Sequence, residues 1–586
     1  MNGGNLIAKV LSAQKVKFVF TLCGGHISPI LTGVKDAGIR VIDVRHEANA
    51  VFAADAVSRL TGVPGVAVVT AGPGVTNTVT AVKNASMAQS PLVLMGGAAA
   101  TVLKGRGSLQ DIDQMALMKP HVKWAATVKK VRQIIPLLEN AFKIAKNGVP
   151  GPVFVELPVD LLYDESVVRE WYGAKSNETP AKSFSEKMMK WYLKRHVNKV
   201  FKNKENIKFS TKVNSANYPK HTPSDINKVV KQLKRASRPV MLIGNQALLN
   251  TNEVNTLAEA VTRLGIPVYL SGIARGLLGK KHPLQLRHMR KNALLESDLV
   301  LLAGVPCDFR LDYGRHIRSS SICISVNRSK KDLFLNKKPR IAILADPGSF
   351  LIDLAAHLPT PLFRKGTGGN VWDEWFNALK KRDEGRESEI EAKAGMELKN
   401  INPVELFRKL DPVLDDKSIL VADGGDFVAT GSYTLNPRRP LSWIDPGVFG
   451  TLGVGAGFAL GAKLCFPESE VWIIYGDGSC AYSIAEFDTF VRHNIPVIAL
   501  VGNDACWAQI ARDQIEILKS DVGCMLKHSD YDVVAKGYGG NGVRVENISD
   551  FQEAVKQARE VTKTGTPFLI NAIIGITDFR KGSISM

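Results

Sequence analysis

Two short motifs in the last third of the chain carry the residue types of a cation and phosphate site. An apolar run at 471–475 leads into Gly476-Asp477-Gly478-Ser479, and another at 496–501 leads into Gly502-Asn503-Asp504. Gly478 and Asn503 are separated by 24 residues. Both motifs fall at the C-terminal ends of predicted strands, where open α/β sheets place ligands. Glycine lets the backbone approach a phosphate. Asp477, with Asn503 or Asp504, supplies hard oxygen ligands suited to Mg²⁺ bridging protein and diphosphate. A lone Gly-Asp-Gly would read as an ordinary βα turn; the pair at this spacing favours the site.

Several further residues could join this chemistry, and most have an ordinary structural reading when taken alone. Glu47, in Arg45-His46-Glu47, stands where a predicted strand gives way to a helix. Taken alone it is a glutamate favoured by the helix dipole. Ala71-Gly72-Pro73-Gly74 precedes Val75-Thr76-Asn77 and reads as a tight βα turn whose glycines meet a backbone requirement. Leu452, within Gly450-Thr451-Leu452-Gly453, precedes a Gly/Ala-rich helix and alone reads as a core leucine. Gln110 lies in the polar run at 108–114, and His26 follows Gly24-Gly25. A single histidine is more often structural than catalytic. Trp507 and Gln509 lie just beyond Asp504.

Together these motifs resemble the thiamine diphosphate (ThDP)-dependent family that includes acetolactate synthase, oxalyl-CoA decarboxylase and 2-hydroxyacyl-CoA lyase. The resemblance covers nearly the whole chain, and the phrases at 24–29, 447–457 and 577–580 place it nearest the lyase branch. It implies that Glu47 bonds the aminopyrimidine ring and favours the imino tautomer that activates the thiazolium. That role calls for a carboxyl in an apolar site, where burial favours the protonated form. Gly72, Pro73, Gly74 and Asn77 would pack on the pyrimidine, and Leu452 beside Gly450 would hold the cofactor bent. Gly476, Gly478 and Ser479 would meet the diphosphate. Asp477 with Asn503 or Asp504 would hold Mg²⁺, with a carbonyl from Ala505 or Cys506; relatives usually have two asparagines where this chain has Asn503-Asp504, and both assignments stay open. Gln110 and His26 would act in the substrate cavity, and Trp507 and Gln509 would border it. The implied reaction cleaves a 2-hydroxyacyl-CoA to formyl-CoA and an aldehyde shortened by one carbon. The alternatives are a carboligase joining 2-oxo acids and a non-catalytic cofactor-binding protein. A homodimer is the minimum assembly and a tetramer the next. The central domain of relatives can hold FAD or ADP, but no full GxGxxG fingerprint occurs here.

The elements that must position these residues alternate in type. Strands are predicted at 16–22, 39–44, 65–70, 91–95 and 152–157, with a helix at 48–60; then at 239–243, 268–270, 299–303, 322–326 and 341–344; and finally at 418–421, 470–475, 496–501 and 567–574. Such alternation implies α/β architecture with three doubly wound parallel sheets. The expected boundaries are 1–170 for a pyrimidine-binding domain, 171–222 for a basic linker or insertion, 223–360 for a central domain, 361–401 for a connector (loop at 359–369, charged helix at 374–399) and 402–586 for a diphosphate-binding domain.

Composition narrows the classes. The chain has 586 residues, 45% hydrophobic and 23% charged, which excludes wholesale disorder. Seven scattered cysteines without a CxxC disfavour a disulfide framework and a zinc ribbon. The net charge is +20, and residues 182–220 hold eleven of the cations against two acids. There Met189, Leu193, Val197 and Val200 recur at helical spacing, which fits either a contact with an anionic membrane surface or a stripe docked on its own domain. No nucleic-acid-binding module accompanies the basic residues. The charge also suits an anionic CoA ester. The chain as given shows no anchor, no KDEL-like terminus and no signal peptide and reads as soluble, whereas the resemblance implies the endoplasmic reticulum membrane.

Overall fold

A computed structural model describes residues 2–173, 183–204, 209–213, 215–358 and 372–580. The predicted loop at 359–369 and the C-terminal residues 583–586 lie outside these. The chain forms two compact units, Met1–Arg59 with Val63–Asn217, and Leu60–Gly62 with Tyr218–Met586. The basic segment up to Asn217 therefore belongs to the first unit.

The first unit holds strands β1 (Phe18–Leu22), β2 (Arg40–Asp43), β3 (Gly65–Val69), β4 (Leu92–Ala98), β5 (Trp124–Thr127) and β6 (Pro152–Pro158), in the spatial order β2-β1-β3-β4-β6-β5. All pairings are parallel. Every residue of β3, β4 and β6 is buried, as expected for strands covered by helices on both faces. The edge strand β5 escapes prediction because Trp-Ala-Ala-Thr is only half-buried and carries no branched apolar run.

The second unit holds two sheets. Strands β7 (Pro239–Ile243), β8 (Val268–Leu270), β9 (Gln285–Leu286), β10 (Leu299–Ala303), β11 (Ile322–Asn327) and β12 (Ile341–Leu344) run in the order β12-β11-β10-β7-β8-β9. Strands β13 (Ile419–Asp423), β14 (Trp443–Ile444), β15 (Val471–Gly476), β16 (Ile498–Asn503), β17 (Asn541–Val545) and β18 (Phe568–Ile573) run β14-β13-β15-β16-β18-β17. The latter order repeats that of the first unit's sheet, so β1/β3 and β13/β15 are equivalent points where the winding direction reverses. Ligands bind at such switch points, beyond the C-terminal strand ends. The two-residue strands β9 and β14 are too short to show a period, and Asn541-Gly-Val-Arg-Val545 reads as a loop from its first two residues.

The predicted helix at 48–60 is Glu47–Thr61, and the charged connector is the helix Asp373–Ala394. The basic segment forms the helix Phe184–Phe201, capped by the Ser183 side chain, which accepts from Glu186 N–H. Only part of its expected stripe docks. Val197 and Val200, with Phe201, join the first unit's core, while Met189 stays exposed. Among the described residues no helix is long and apolar enough to cross a membrane.

Candidate active site

The first unit gathers its predicted residues around the turn that leaves β3. Gly72 has φ +61°, which favours glycine, and a Cβ there would lie 2.8 Å from the Gln110 carbonyl oxygen. The short helix Pro73–Thr76 follows, and Asn77 caps it. Asn77 Nδ2 donates to Glu47 Oε2 at 2.9 Å, and Glu47 is only 6% exposed. The turn's other side is held by Gln114, whose Oε1 accepts from Gly72 N–H at 3.0 Å and whose Nε2 donates to the Gly97 carbonyl at 3.0 Å and to Glu156 Oε1 at 3.2 Å. Gln110 itself has φ +62°, which few non-glycine residues adopt. His26 reaches the same strand end, with Nδ1 3.2 Å from Thr70 Oγ1. Partial burial lowers its pKa and favours the neutral ring. Glu47, Gly72, Gln110 and Asn77 thus share one turn, and His26 flanks it. Gln114 and Thr70 are additions; Gln114 lies in the run that offered Gln110, but nothing in the sequence separates the two glutamines.

The second unit builds a cavity of about 280 Å³ at the β13/β15 reversal. Its wall includes Gly450, Leu452, Gly476, Asp477, Gly478, Ser479, Asp504, Trp507 and Gln509. A Cβ on Gly478 would overlap the Trp507 indole, so that position takes only glycine while the indole stays in place. Gly424, Gly425, Asp426 and Cys506 also line the wall. The first three repeat the strand-Gly-Asp pattern of Gly476-Asp477, a signal that would have found them. Asp426 is paired with Arg512.

Charge balance singles out two carboxylates. Asp477 Oδ1 accepts from Gly478 N–H at 2.7 Å, while its buried Oδ2 has no hydrogen-bond partner. Burial raises the Asp477 pKa. Burial first, and the charge of Asp477 second, push Asp504 up to about 7. Two neighbouring buried acids, one with an orphaned oxygen, have the chemistry to hold a cation. Among the described residues no three His, Cys, Asp or Glu side chains converge on a metal position. A hard cation here would therefore complete its shell with a carbonyl, diphosphate oxygens and water.

Asn503 and Asp504, indistinguishable by spacing, differ in environment. Asn503 is fully buried and does not line the cavity. Its Nδ2 donates to the Ser529 carbonyl and to Asn571 Oδ1, both at 3.1 Å, and its Oδ1 lies 3.2 Å from His528 Nδ1. Asp504 lines the cavity, with Oδ1 accepting from Cys506 N–H at 3.0 Å. The Ala505 carbonyl accepts from Leu526 N–H at 2.7 Å.

Asp423, which sequence reasoning missed, ties the cavity together. Its Oδ1 and Oδ2 accept from Gly453 N–H at 3.1 Å and Gly455 N–H at 2.7 Å. Its carbonyl accepts from Ser479 Oγ at 2.9 Å. The residue is fully buried, and desolvation pushes its pKa up to about 7 despite the two amides. The segment bearing Gly450 and Leu452 is thereby fastened to the end of β13 and to the Gly-Asp-Gly-Ser turn.

Three parallel sheets, the first and third in chain order with the same winding and a polar site at each reversal, define a thiamine diphosphate enzyme, and family comparison agrees. The chain matches the thiamine pyrophosphate enzyme N-terminal TPP binding domain over residues 1–117, the central domain over 226–354 and the C-terminal TPP binding domain over 423–572. It belongs to this family. It is 51% identical to a 2-hydroxyacyl-CoA lyase 2 of Danio rerio, over 100% of this chain and 93% of the relative, and 47% identical to that of Homo sapiens, over 100% and 92%. An acetolactate synthase large subunit of Mycobacterium tuberculosis is 31% identical over 98% of this chain and 96% of its own length.

Proposed function

We propose that this enzyme is a ThDP- and Mg²⁺-dependent lyase that cleaves 2-hydroxyacyl-CoA to formyl-CoA and an aldehyde one carbon shorter. The observation that carries the cofactor assignment is the cavity holding Asp477 and Asp504 with an orphaned carboxylate oxygen. The full-length identity to lyases of that printed name supports the substrate class. Asp477, Asp504 and the Cys506 carbonyl would hold Mg²⁺ against the diphosphate; Asn503, consumed by Ser529 and Asn571, would not.

Bound ThDP supplies a nucleophilic carbon and an electron sink for carbon–carbon cleavage. The protein's part is binding, orientation and proton traffic. Glu47, oriented by Asn77, exchanges a proton with the aminopyrimidine ring. Leu452, on the cavity wall, would support the bound cofactor, and Gly72 with Gly74 would let the 72–77 turn come close to its pyrimidine. The bond between the thioester carbon and the hydroxyl-bearing carbon breaks. The hydroxyl loses its proton as the aldehyde forms, and the thioester carbon gains one before leaving as formyl-CoA. His26, held neutral by burial, accepts the hydroxyl proton, and Gln110 binds the substrate's oxygens.

A homodimer, in which one chain's Glu47 half-site meets a second copy's Asp477 half-site, is the minimum assembly of this reading. Residence at the endoplasmic reticulum membrane follows from the same resemblance. The test is product identification after incubation with ThDP, Mg²⁺ and either 2-hydroxyacyl-CoA or pyruvate. Aldehyde and formyl-CoA are expected from the first; acetolactate from the second, without aldehyde from the first, would replace the lyase by a carboligase.

A further inference from the structure

The first unit carries a second concavity, an open groove of about 1100 Å³ under the helix Phe184–Phe201. Its size reaches the top of the roughly 300–1,000 Å³ usual for small-molecule sites. Ala99 and Ala100, at the C-terminal end of β4, contribute to its lining. Met188, Met189, Tyr192 and Leu193 of the helix lie across it, and Trp171 and Leu103 add to the wall. Met188, Met189, Tyr192, Trp171, Leu103 and Leu109 are each at least 47% exposed, six large apolar side chains gathered at one place. A concentration of this kind marks a binding groove rather than ordinary surface.

The helix is held over the groove at its far end. Val197, Val200 and Phe201 are buried in the unit's core. His196 Nε2 lies 2.7 Å from Thr101 Oγ1, just past β4. Asp160 accepts from Thr101 N–H at 3.0 Å and from the Tyr172 hydroxyl at 3.0 Å, and Tyr172 itself lines the groove. The helix's first half is thereby left with apolar side chains over a cavity instead of a core.

His26 is among the lining residues, and Ser108 and Leu109, which also line the groove, run directly into Gln110, which packs on Gly72. The groove thus shares His26 with the surroundings of β3's end, and its lining stops one residue short of Gln110, which packs on the turn that carries Glu47's partner. We propose that it holds the alkyl chain of the substrate, and that Met188, Met189 and Leu193 set the chain length accepted. This rests on the lyase reading above, which supplies a substrate with a reacting thioester at one end and a hydrocarbon chain at the other. The chain leaves the reacting carbons beside His26 and runs along the Ala99-Ala100 wall beneath the helix.

The test uses the holoenzyme with two readouts. In titration calorimetry the unreactive thioether S-dodecyl-CoA should bind at least about tenfold tighter than S-butyl-CoA, since each methylene buried adds up to about fourfold, equivalent to ~0.8 kcal/mol. In turnover, kcat/KM for straight-chain 2-hydroxyacyl-CoA should rise with length through KM and then level off. Leu193→Trp and Met188→Trp, which fill the groove, should remove the S-dodecyl preference and move the plateau to shorter chains. Trp191→Ala, on the same helix but outside the groove, should change neither. Turnover of 2-hydroxyacyl-CoA with a chain preference untouched by either filling variant overturns the groove assignment and leaves the lyase reading standing. Absent turnover with an S-dodecyl preference that Leu193→Trp abolishes overturns the reaction and supports the groove. Filling variants that alter only binding to phosphatidylserine vesicles would make the helix a membrane contact and overturn the inference.

Discussion

Asn77 and Glu47 are thirty positions apart, yet the Asn77 amide donates to the Glu47 carboxyl at 2.9 Å. The amide fixes which way the carboxyl faces without adding a formal charge beside it, as a lysine would. Glu47→Gln is expected to lower turnover by at least about 10²-fold, the lower end of what a positioned acid or base contributes. ThDP affinity should change only a few-fold. Asn77→Ala should fall between this variant and wild type, because the acid remains but loses its orientation. Steady-state kinetics with hydrogen–deuterium exchange at the ThDP thiazolium carbon checks both; full exchange and turnover in Glu47→Gln removes the assigned role.

The two candidate metal ligands make opposite predictions. Asp504→Ala should weaken Mg²⁺-dependent ThDP binding by an order of magnitude or more, with little loss of folding stability. Relieving a buried like-charge pair offsets part of the structural loss. Asn503→Ala should lower stability by ~1–3 kcal/mol through the bonds lost to Ser529 and Asn571, while Mg²⁺ titration at saturating ThDP stays near wild type. Denaturant unfolding paired with Mg²⁺ titration separates the two, and the reverse pattern would move the ligand to Asn503. Chelation of wild type should release ThDP reversibly.

Gly478 and Trp507 are coupled by exclusion. Gly478→Ala sets a methyl group against the indole and is expected to abolish measurable ThDP binding, because the indole must shift within a cavity of only about 280 Å³. Trp507→Leu should be mild alone and should restore part of the binding in the double variant. Calorimetric titration of the four proteins gives the coupling; additive losses would show that the clash is absorbed elsewhere.

The sequence showed most where chemistry and strand ends coincide. Gly476-Asp477 and Asn503-Asp504 announce themselves because two apolar runs each stop at a glycine next to an oxygen-bearing side chain. Strands β7, β8, β10 and β12 have the limits that the sequence predicts; β7 and β10 are buried throughout, and runs such as Pro239-Val-Met-Leu-Ile243 have no other reading between their flanking turns. Asp423 was invisible because its work is done on backbone amides of residues thirty positions away, and no local pattern encodes that. Asn503 and Asp504 could not be ranked for a similar reason: Asn571, which helps occupy the asparagine, is brought to it by β16 pairing with β18, and Ser529 comes from the loop before the helix Tyr531–Gly537. The basic helix was placed correctly but its stripe was only half a core signal. Val197 and Val200 pack, whereas Met189 faces a groove that exists only because β4, Trp171 and Leu103 surround it.

Asp423 also sets a pH dependence. Desolvation gives it a folded pKa of about 7, against the ordinary 3.8. Between these values the folded state keeps a proton that the unfolded chain has released. The contribution to stability is therefore fully present below about pH 4 and is lost as pH rises through about 7. Asp504, also pushed up to about 7, acts in the same direction. These two carboxyls pull the melting temperature of cofactor-free, chelated protein down as pH rises across this window, while the partly buried His26, His196, His282 and His316, with lowered pKa values, oppose that fall. Asp423→Asn should flatten part of that fall and Asp423→Asn with Asp504→Asn most of it, even though the first variant starts less stable because its amide NH₂ meets a glycine N–H. Calorimetric scans at several pH values measure the slope. If Mg²⁺ is held by Asp504 as proposed, saturating cofactor should cancel the Asp504 share and leave the Asp423 share in place. A slope unchanged by Asp423→Asn would mean that the Gly453 and Gly455 amides outweigh burial and keep that carboxylate ionised.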